Sequence, residues 1–471
     1  MIIESKGVRF AIPSVLIFVF ATITFYHLGN RPLIEYDESI YAQVAREALQ
    51  NHSQFDLTWL GYIAQHKPPQ FFDKPPLIIW MVETSQIVFG INEFSARFWT
   101  AIFAIITLPL VFLFTQKLSQ SFTAAILSVA AFFAAFFAAF QFDDFAGVLQ
   151  LDIPVGFFVL LALYSFWQAR ENDCYYLLFW VAMGLGVMTK SVIGLLPMPV
   201  VLILSVPEAD FRWLKSKNFL LGGLLFLAIV LPWHILQQIH YGGAFWDQYL
   251  MYHLLKRYAV TLDSNGGSPH YYLDIFFRQR ILFCCLMLSL VCFIARSFKS
   301  KPHFFLTVTL LFIFLFFSTA ATKLPPYILV AYPYVAIMIG ITFVSLAGCL
   351  EKSGKNSGNI FIAAMILVFV AASLEHKQTR VAQENDPQLV SDKAVGEYLK
   401  THNLGQHVYY YSVNWQKPAV TYYSNRPVYI NDFYRQHKPE DRFVLISEKP
   451  PDYPDKTLLF SAGTEQVYQI E

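Results

Sequence analysis

"RFAIPSVLIFVFATITFYHLGNRPLIEYDESIYAQVAREAL", residues 9–49, runs from a long apolar segment into two adjacent acids, Asp37 and Glu38. An apolar segment of about 20 residues is long enough to cross a bilayer. It has a basic start, but no small-residue cleavage site follows, so it reads as a retained first helix and not a signal peptide. Ionised carboxylates beside a membrane span are costly unless they meet water, a cation or a substrate. The stretch therefore predicts a membrane-embedded chain and asks what Asp37 and Glu38 meet.

The rest of the chain is of the same kind. Of 471 residues, 56% are hydrophobic and 14% charged, against roughly 45–50% and about 25% in soluble domains. Residues 1–374 hold 43 of the 67 charged side chains, and residues 375–471 hold the other 24. That shift predicts a membrane domain over 1–374, with outer loops at 29–75 and 239–277, and a soluble domain over 375–471. Lys plus Arg (34) nearly balance Asp plus Glu (33), so no polyanion-binding surface and no nucleic-acid partner is expected. Cys174, Cys284, Cys285, Cys292 and Cys349 lie in or beside apolar segments without metal-ligand spacing, and read as small core or lipid-facing residues.

Apolar runs recur near 9–28, 98–115, 122–140, 146–168, 174–190, 191–206, 218–238, 278–295, 303–320, 326–348 and 358–374. Each suits one crossing or nearly so. The short basic loops at 168–170, 211–217, 295–303 and 351–359 belong on the cytoplasmic side. Alternation then places the end of the first span, Asp143 and Asp144, the 239–277 loop, "TKLPPY" at 322–327 and the tail outside. The shorter segment 75–90 contains Glu83 and would break this parity if it crossed, so it reads as a juxtamembrane or re-entrant helix. Eleven spans result, and thirteen would keep the same sidedness.

Charge gathers on that outer side: Asp37, Glu38, Asp73, Lys74, Asp143, Asp144, Asp152, Lys190, His253, Lys256, Arg257 and Lys323. Cations and carboxylates at one depth suit a substrate with an anionic phosphate and a group that needs a base. The plainer reading makes each lysine a snorkelling anchor and each loop acid a solubilising group. Asp152 resists it, because it sits inside the apolar "LQLDIPVGFFVL". In "YHLLKRY" helical spacing puts His253 and Arg257 on one face.

Seven stretches carry a resemblance: "YDESIYAQVAREAL", "FFDKPPLIIWMVE", "GINEFSARFW", "LDIPVGFFV", "GLGVMTKSVIGLLP", "FWDQYLMYHLLKRY" and "STAATKLPPYILVAYP". In this order, over residues 36 to 333, they resemble the GT-C glycosyltransferases that use lipid-linked sugars. The similarity is to the bacterial aminoarabinose lipid A transferases and the related protein O-mannosyltransferases. The resemblance implies a polytopic α-helical membrane fold of about 11–13 spans with a small C-terminal α/β extracytoplasmic domain. It also implies a bacterial inner-membrane enzyme with a periplasmic active site. Its carry-over makes Asp37, followed by Glu38, the catalytic acid, and Lys74, Lys190 and Arg257 or Lys256 the cations for the donor phosphate; by their own placement among the outer-face charges Asp152 joins the catalytic acids and Lys323 the phosphate cations. Asp73, where the family commonly has Glu, and His253 take the place of a divalent-metal pair.

The implied donor is a polyprenyl-phosphate sugar in the membrane lipid, and the acceptor is lipid A-like or a protein. Direct displacement at the sugar would invert the anomeric centre. No G-x-G-x-x-G or other nucleotide signature appears, so no nucleotide is expected. A polytopic transporter is the rival from another class, but no internal repeat appears and the charges gather at one face. The tail alternates "HVYYYSV", "RPVYI" and "RFVLISE" after a helical "SDKAVGEYLKTHNL", which predicts a small α/β unit with a structural or acceptor-orienting role.

Overall fold

The fold comes from a computed structural model, which describes residues 6–63, 68–138, 147–262, 265–278, 280–297, 299–351, 358–368, 384–402, 404, 407–410, 417–430, 443–453 and 455–470. The membrane part opens with α1 (Lys6–Phe25), the polar α2 (Asp37–Asn51) and α3 (Leu77–Phe89). Then come α4 (Glu93–Ser119), α5 (Phe122–Ala138), α6 (Asp152–Gln168), α7 (Tyr175–Lys190), α8 (Pro197–Glu208) and α9 (Lys217–Tyr241). A π-helical segment (Asp247–Lys256) leads to α10 (Tyr271–Arg278), α11 (Arg280–Ser297), α12 (Lys301–Thr319) and α13 (Tyr332–Glu351). Helix α14 covers 358–368. Among the described residues, six helices are long and apolar enough to cross a membrane, and six shorter ones are apolar. The eleven apolar runs each carry one of these twelve; the remaining one is α3.

Local chemistry sets the helix starts. Asn92 caps α4 by accepting from Ser95 N (2.9 Å) while its own N–H bonds the Ser95 hydroxyl (3.2 Å). Ser216 caps α9 through Phe219 N at 3.1 Å. Helix α3 lies along α2: Glu83 accepts from Gln54 at 2.6 Å, and Gln86 donates to Ala42 O at 3.1 Å. These bonds give the acid of this segment a protein partner in place of lipid, as a juxtamembrane helix requires.

Apolarity alone does not rank the helices by burial. The α13 span has 89% of its apolar window buried, and the α9 span only 28%. Helix α13 reaches the centre because Gly340 meets α5 closely; a Cβ there would stand 2.1 Å from the Ser128 hydroxyl and 2.5 Å from Ala124 O.

The tail begins its described elements with α15 (Pro387–Thr401), capped by Asp386 through Gln388 N and Leu389 N. Strand β1 (Val408–Tyr410), α16 (Pro418–Ser424), β2 (Val428–Ile430), β3 (Phe443–Ser447), β4 (Lys456–Ala462) and β5 (Glu465–Ile470) follow. The sheet order is β2-β1-β3-β5-β4, with β2, β1 and β3 parallel and β3, β5 and β4 antiparallel. The three alternating runs form β1, β2 and β3, as their pattern predicts. Gly463 at φ 55 turns the added β4–β5 hairpin.

Candidate active site at the tail-bearing end of the bundle

The segment 35–38 alternates in fate. Tyr36 and Asp37 are exposed, while Glu38 is 2% exposed. Asp37 takes the first position of α2, where the helix N-terminus favours a carboxylate. Tyr36 enters that helix at φ 67, a conformation rarely open to a bulky side chain. Glu38 turns inward and meets Arg97 bidentately, Nε to Oε1 at 2.8 Å and Nη2 to Oε2 at 3.0 Å. Its oxygens also accept from Leu149 N (2.8 Å) and Ile34 N (2.7 Å). Burial would raise its pKa, but Arg97 more than offsets that and holds it below the usual value. The expectation that Glu38 shares catalysis is therefore corrected: its oxygens are taken up in joining α2, α4 and the segment before α6.

Around Asp37 the structure gathers groups from distant parts of the chain. Asp73 Oδ1 accepts from Tyr62 Oη at 2.6 Å and lies 2.9 Å from His253 Nε2. Burial pushes the Asp73 carboxyl up, yet His253, Lys74 and Tyr62 bring it down to about 2. Lys74 donates to the Asp73 carbonyl at 3.2 Å and is coupled electrostatically to Asp73, Asp37, Arg257 and Lys190. Burial, with the cations Arg257 and Lys190, lowers its pKa against the pull of the two acids. Lys190 reaches both oxygens of Asp152 at 2.6 Å and sits 4.5 Å from the Tyr327 ring centre. It is brought there by a tight return after α7: a Cβ on Gly194 would lie 2.1 Å from Val187 N. Asp152, expected as a catalytic acid, is thus the direct partner of Lys190.

Two expected cations stand elsewhere. Lys256 is exposed and lies 4.9 Å from the Tyr252 ring centre, whereas the adjacent Arg257 is half-buried and coupled to Lys74. One residue of helix turns the side chain by about 100°, so only one of the two can face the cluster. Lys323, 5% exposed, folds back onto the Ala320 carbonyl. Its segment instead holds the 257–265 loop: Lys323 N meets Asn265 O at 2.7 Å, Thr322 N meets Arg257 O at 3.1 Å and Ala321 N meets Tyr258 O at 2.8 Å. Asp143 and Asp144 lie outside the described residues. Sequence reasoning missed Tyr62, Arg97 and Tyr327 as site or support residues. The signal for Arg97 was present, a buried cation opening an apolar run in "SARFW".

Asp73 and His253 would offer a divalent ion two protein ligands. Among the described residues no group of three His, Cys, Asp or Glu side chains is placed to hold a metal. The two are hydrogen-bonded to each other, and the arrangement fits an acid–histidine pair better than a closed cage.

Residues 73–236 match the family described as dolichyl-phosphate-mannose-protein mannosyltransferase. The undecaprenyl phosphate-alpha-4-amino-4-deoxy-L-arabinose arabinosyl transferase 1 of Pseudomonas fluorescens (strain Pf0-1) is 26% identical over 393 residues, covering 80% of this chain and 65% of that relative. This chain therefore spans just under two thirds of that relative's length. ArnT from Cupriavidus metallidurans in the apo state superposes with a TM-score of 0.77 over 99% of this chain and 98% of its own, at 16% identity. The chain has the GT-C glycosyltransferase fold. Archaeal oligosaccharyltransferase AglB from Archaeoglobus fulgidus shares the GT-C fold more distantly, with a TM-score of 0.59 over 89% of this chain and 64% of its own, at 13% identity. In this GT-C chain the clustered charges sit at the end of the bundle that carries the tail, as His27–Glu384 (2.8 Å) and Glu93–Lys393 (2.6 Å) show.

Proposed function

We propose that the protein is an inverting glycosyltransferase, moving a sugar from a polyprenyl-phosphate donor to a lipid A-like glycolipid at the outer face of a bacterial inner membrane. The observation that carries the reading is the convergence of Lys74, Lys190 and Arg257 beside an exposed Asp37 at the head of α2. The relatives named as undecaprenyl-phosphate aminoarabinose transferases, and the like-folded ArnT bound to undecaprenyl phosphate, support it.

The chemistry follows from the charges. The acceptor hydroxyl attacks the anomeric carbon as the bond from that carbon to the phosphate oxygen breaks. Asp37 takes the hydroxyl proton. The leaving polyprenyl phosphate gains negative charge, which Lys74, Lys190 and Arg257 stabilise from fixed positions. Asp152 acts through Lys190, holding its ammonium in place. The site needs no nucleotide, because the donor sugar arrives on a lipid.

Mass spectrometry of envelope lipids and glycoproteins, from cells with and without the protein, tests the reading. Loss of one sugar substituent from a lipid A-like glycolipid is expected in its absence. Loss from a protein instead would reassign the acceptor. Unchanged glycosylation of both, with a lipid redistributed across the membrane, would replace the enzyme by a transporter.

A further inference from the structure

The strained Tyr36 turn is stapled at both ends. On one side Glu38 is bound by Arg97. On the other, Glu35 enters a buried polar seam made by the tail. Ala419 N, at the head of α16, donates to Glu35 Oε2 at 3.3 Å. Lys417, 11% exposed in its side chain, lies 3.0 Å from Asp392 and 3.4 Å from Glu465, whose side chains are 0% exposed. Gln388 donates to both acids at 3.1 Å, and Tyr410 donates to Glu465. Glu35, Asp392 and Glu465 thus share one buried region with Lys417, and burial together with the neighbouring carboxylates raises the pKa of all three. The same face of the tail also grips α2. Arg46 donates to Tyr422 O at 2.6 Å, and Leu33 N donates to Tyr423 Oη at 2.8 Å.

A bulky residue at positive φ persists only where its surroundings over-determine it. Glu38 and Arg97 hold the turn from the membrane part, and the tail holds it through Glu35 and through Tyr423 on Leu33 N. We propose that Glu35 and Lys417 are positioning residues: the Glu35–Asp392–Glu465–Lys417 seam is the tail's hold on the outer loop, keeping Tyr36 in its turn and Asp37 aimed at the acceptor. This rests on Asp37 being the acceptor-side carboxylate. It gives the tail a part in turnover that donor binding does not share.

Protonation supports this assignment. Burial, against the pull of Lys417, raises Glu35 and Asp392 to about 6 and Glu465 to about 7. Raised carboxylates stabilise the folded seam fully below their unfolded pKa, and that contribution is lost as pH rises through about 6 to 7. The groups facing one another there are Glu35, Asp392, Glu465, Lys417 and Tyr410, with Glu448 acting on Tyr410.

The test uses the full chain in nanodiscs with K417M, the isosteric E35Q and the conservative K417R. Amide exchange over 33–41 reads the turn without any substrate. K417M and E35Q are expected to speed it at least tenfold, K417R to return it to within threefold of the parent, and exchange over 93–119 to stay unchanged. Undecaprenyl phosphate should bind all variants within twofold of the parent, while kcat falls at least tenfold in K417M with KM for the donor lipid within twofold. Parental exchange and kcat in both K417M and E35Q would overturn the proposal. So would a loss of undecaprenyl phosphate binding equal to the loss of turnover, since the defect would then be general. If the parent transfers no sugar but the exchange differences appear, the enzymatic reading fails while the tail's hold on the loop stands.

Discussion

Asp37 and Glu38 are neighbours in the chain, but the helix that begins at Asp37 points one carboxylate to the outer surface and the other into the protein. Their substitutions should separate cleanly. D37N keeps the size and the helix start but cannot accept a proton, so kcat is expected to fall about 10²–10⁴-fold, the usual weight of general base catalysis. Undecaprenyl phosphate binding should stay within twofold, and near-parental turnover by the folded variant would remove Asp37 from the mechanism. E38Q instead leaves the Arg97 guanidinium buried with the negative charge of its partner gone. Removing one member of a buried pair costs about 3–5 kcal/mol. The expected outcome is a large drop in the thermal midpoint in detergent, with a smaller loss for the E38Q/R97M double variant than the single losses summed.

At the scale of the elements, the cations proposed to hold the donor phosphate come from three places: the approach to α3, the end of α7 and the turn after the π-helical segment. A charge-assisted hydrogen bond contributes about 1.5–3 kcal/mol, so K74M, K190M and R257M should each weaken undecaprenyl phosphate binding at least tenfold. K256M should leave it within twofold, because Lys256 faces solvent. Titration of the lipid against the purified variants checks this, and equal affinities across all four would dissolve the phosphate site. The pairing of 320–323 with the loop at 257–265 explains why Arg257 can be held at all. "KLPP" reads in sequence as a cation beside a turn, yet its backbone, not its ammonium, does the holding.

For the whole molecule, the tail and the loop at 168–171 lie at opposite ends of the bundle. Helix α4 starts beside the tail at Glu93 and ends at Lys117, which pairs with Glu171 at 2.5 Å at the opposite end. In a background lacking the five native cysteines, S461C on the exposed β4 strand should react with an impermeant thiol reagent once any outer membrane is permeable. K215C, in the basic loop, should react only after the inner membrane is opened. The reverse pattern would place Asp37 and Lys74 in the cytoplasm and end the lipid-donor mechanism as written.

Hydropathy and charge, read along the chain, determined the eleven apolar runs, the soluble tail, the common side of the charged groups and the candidacy of Asp37, Lys74, Lys190 and Arg257. These properties are sums over neighbouring residues, and neighbours are what a sequence displays. The tertiary structure decided what each charge meets. Glu38 finds Arg97 across 59 positions, Lys190 finds Asp152 across 38, and Glu35 enters a seam with the tail at Ala419, 384 positions away. It also decided that α13 is central and α9 faces outward, although α9 is the more apolar of the two. Lipid and protein core are alike to an apolar side chain, and a charge binds the nearest partner in space; neither distinction is written in local composition.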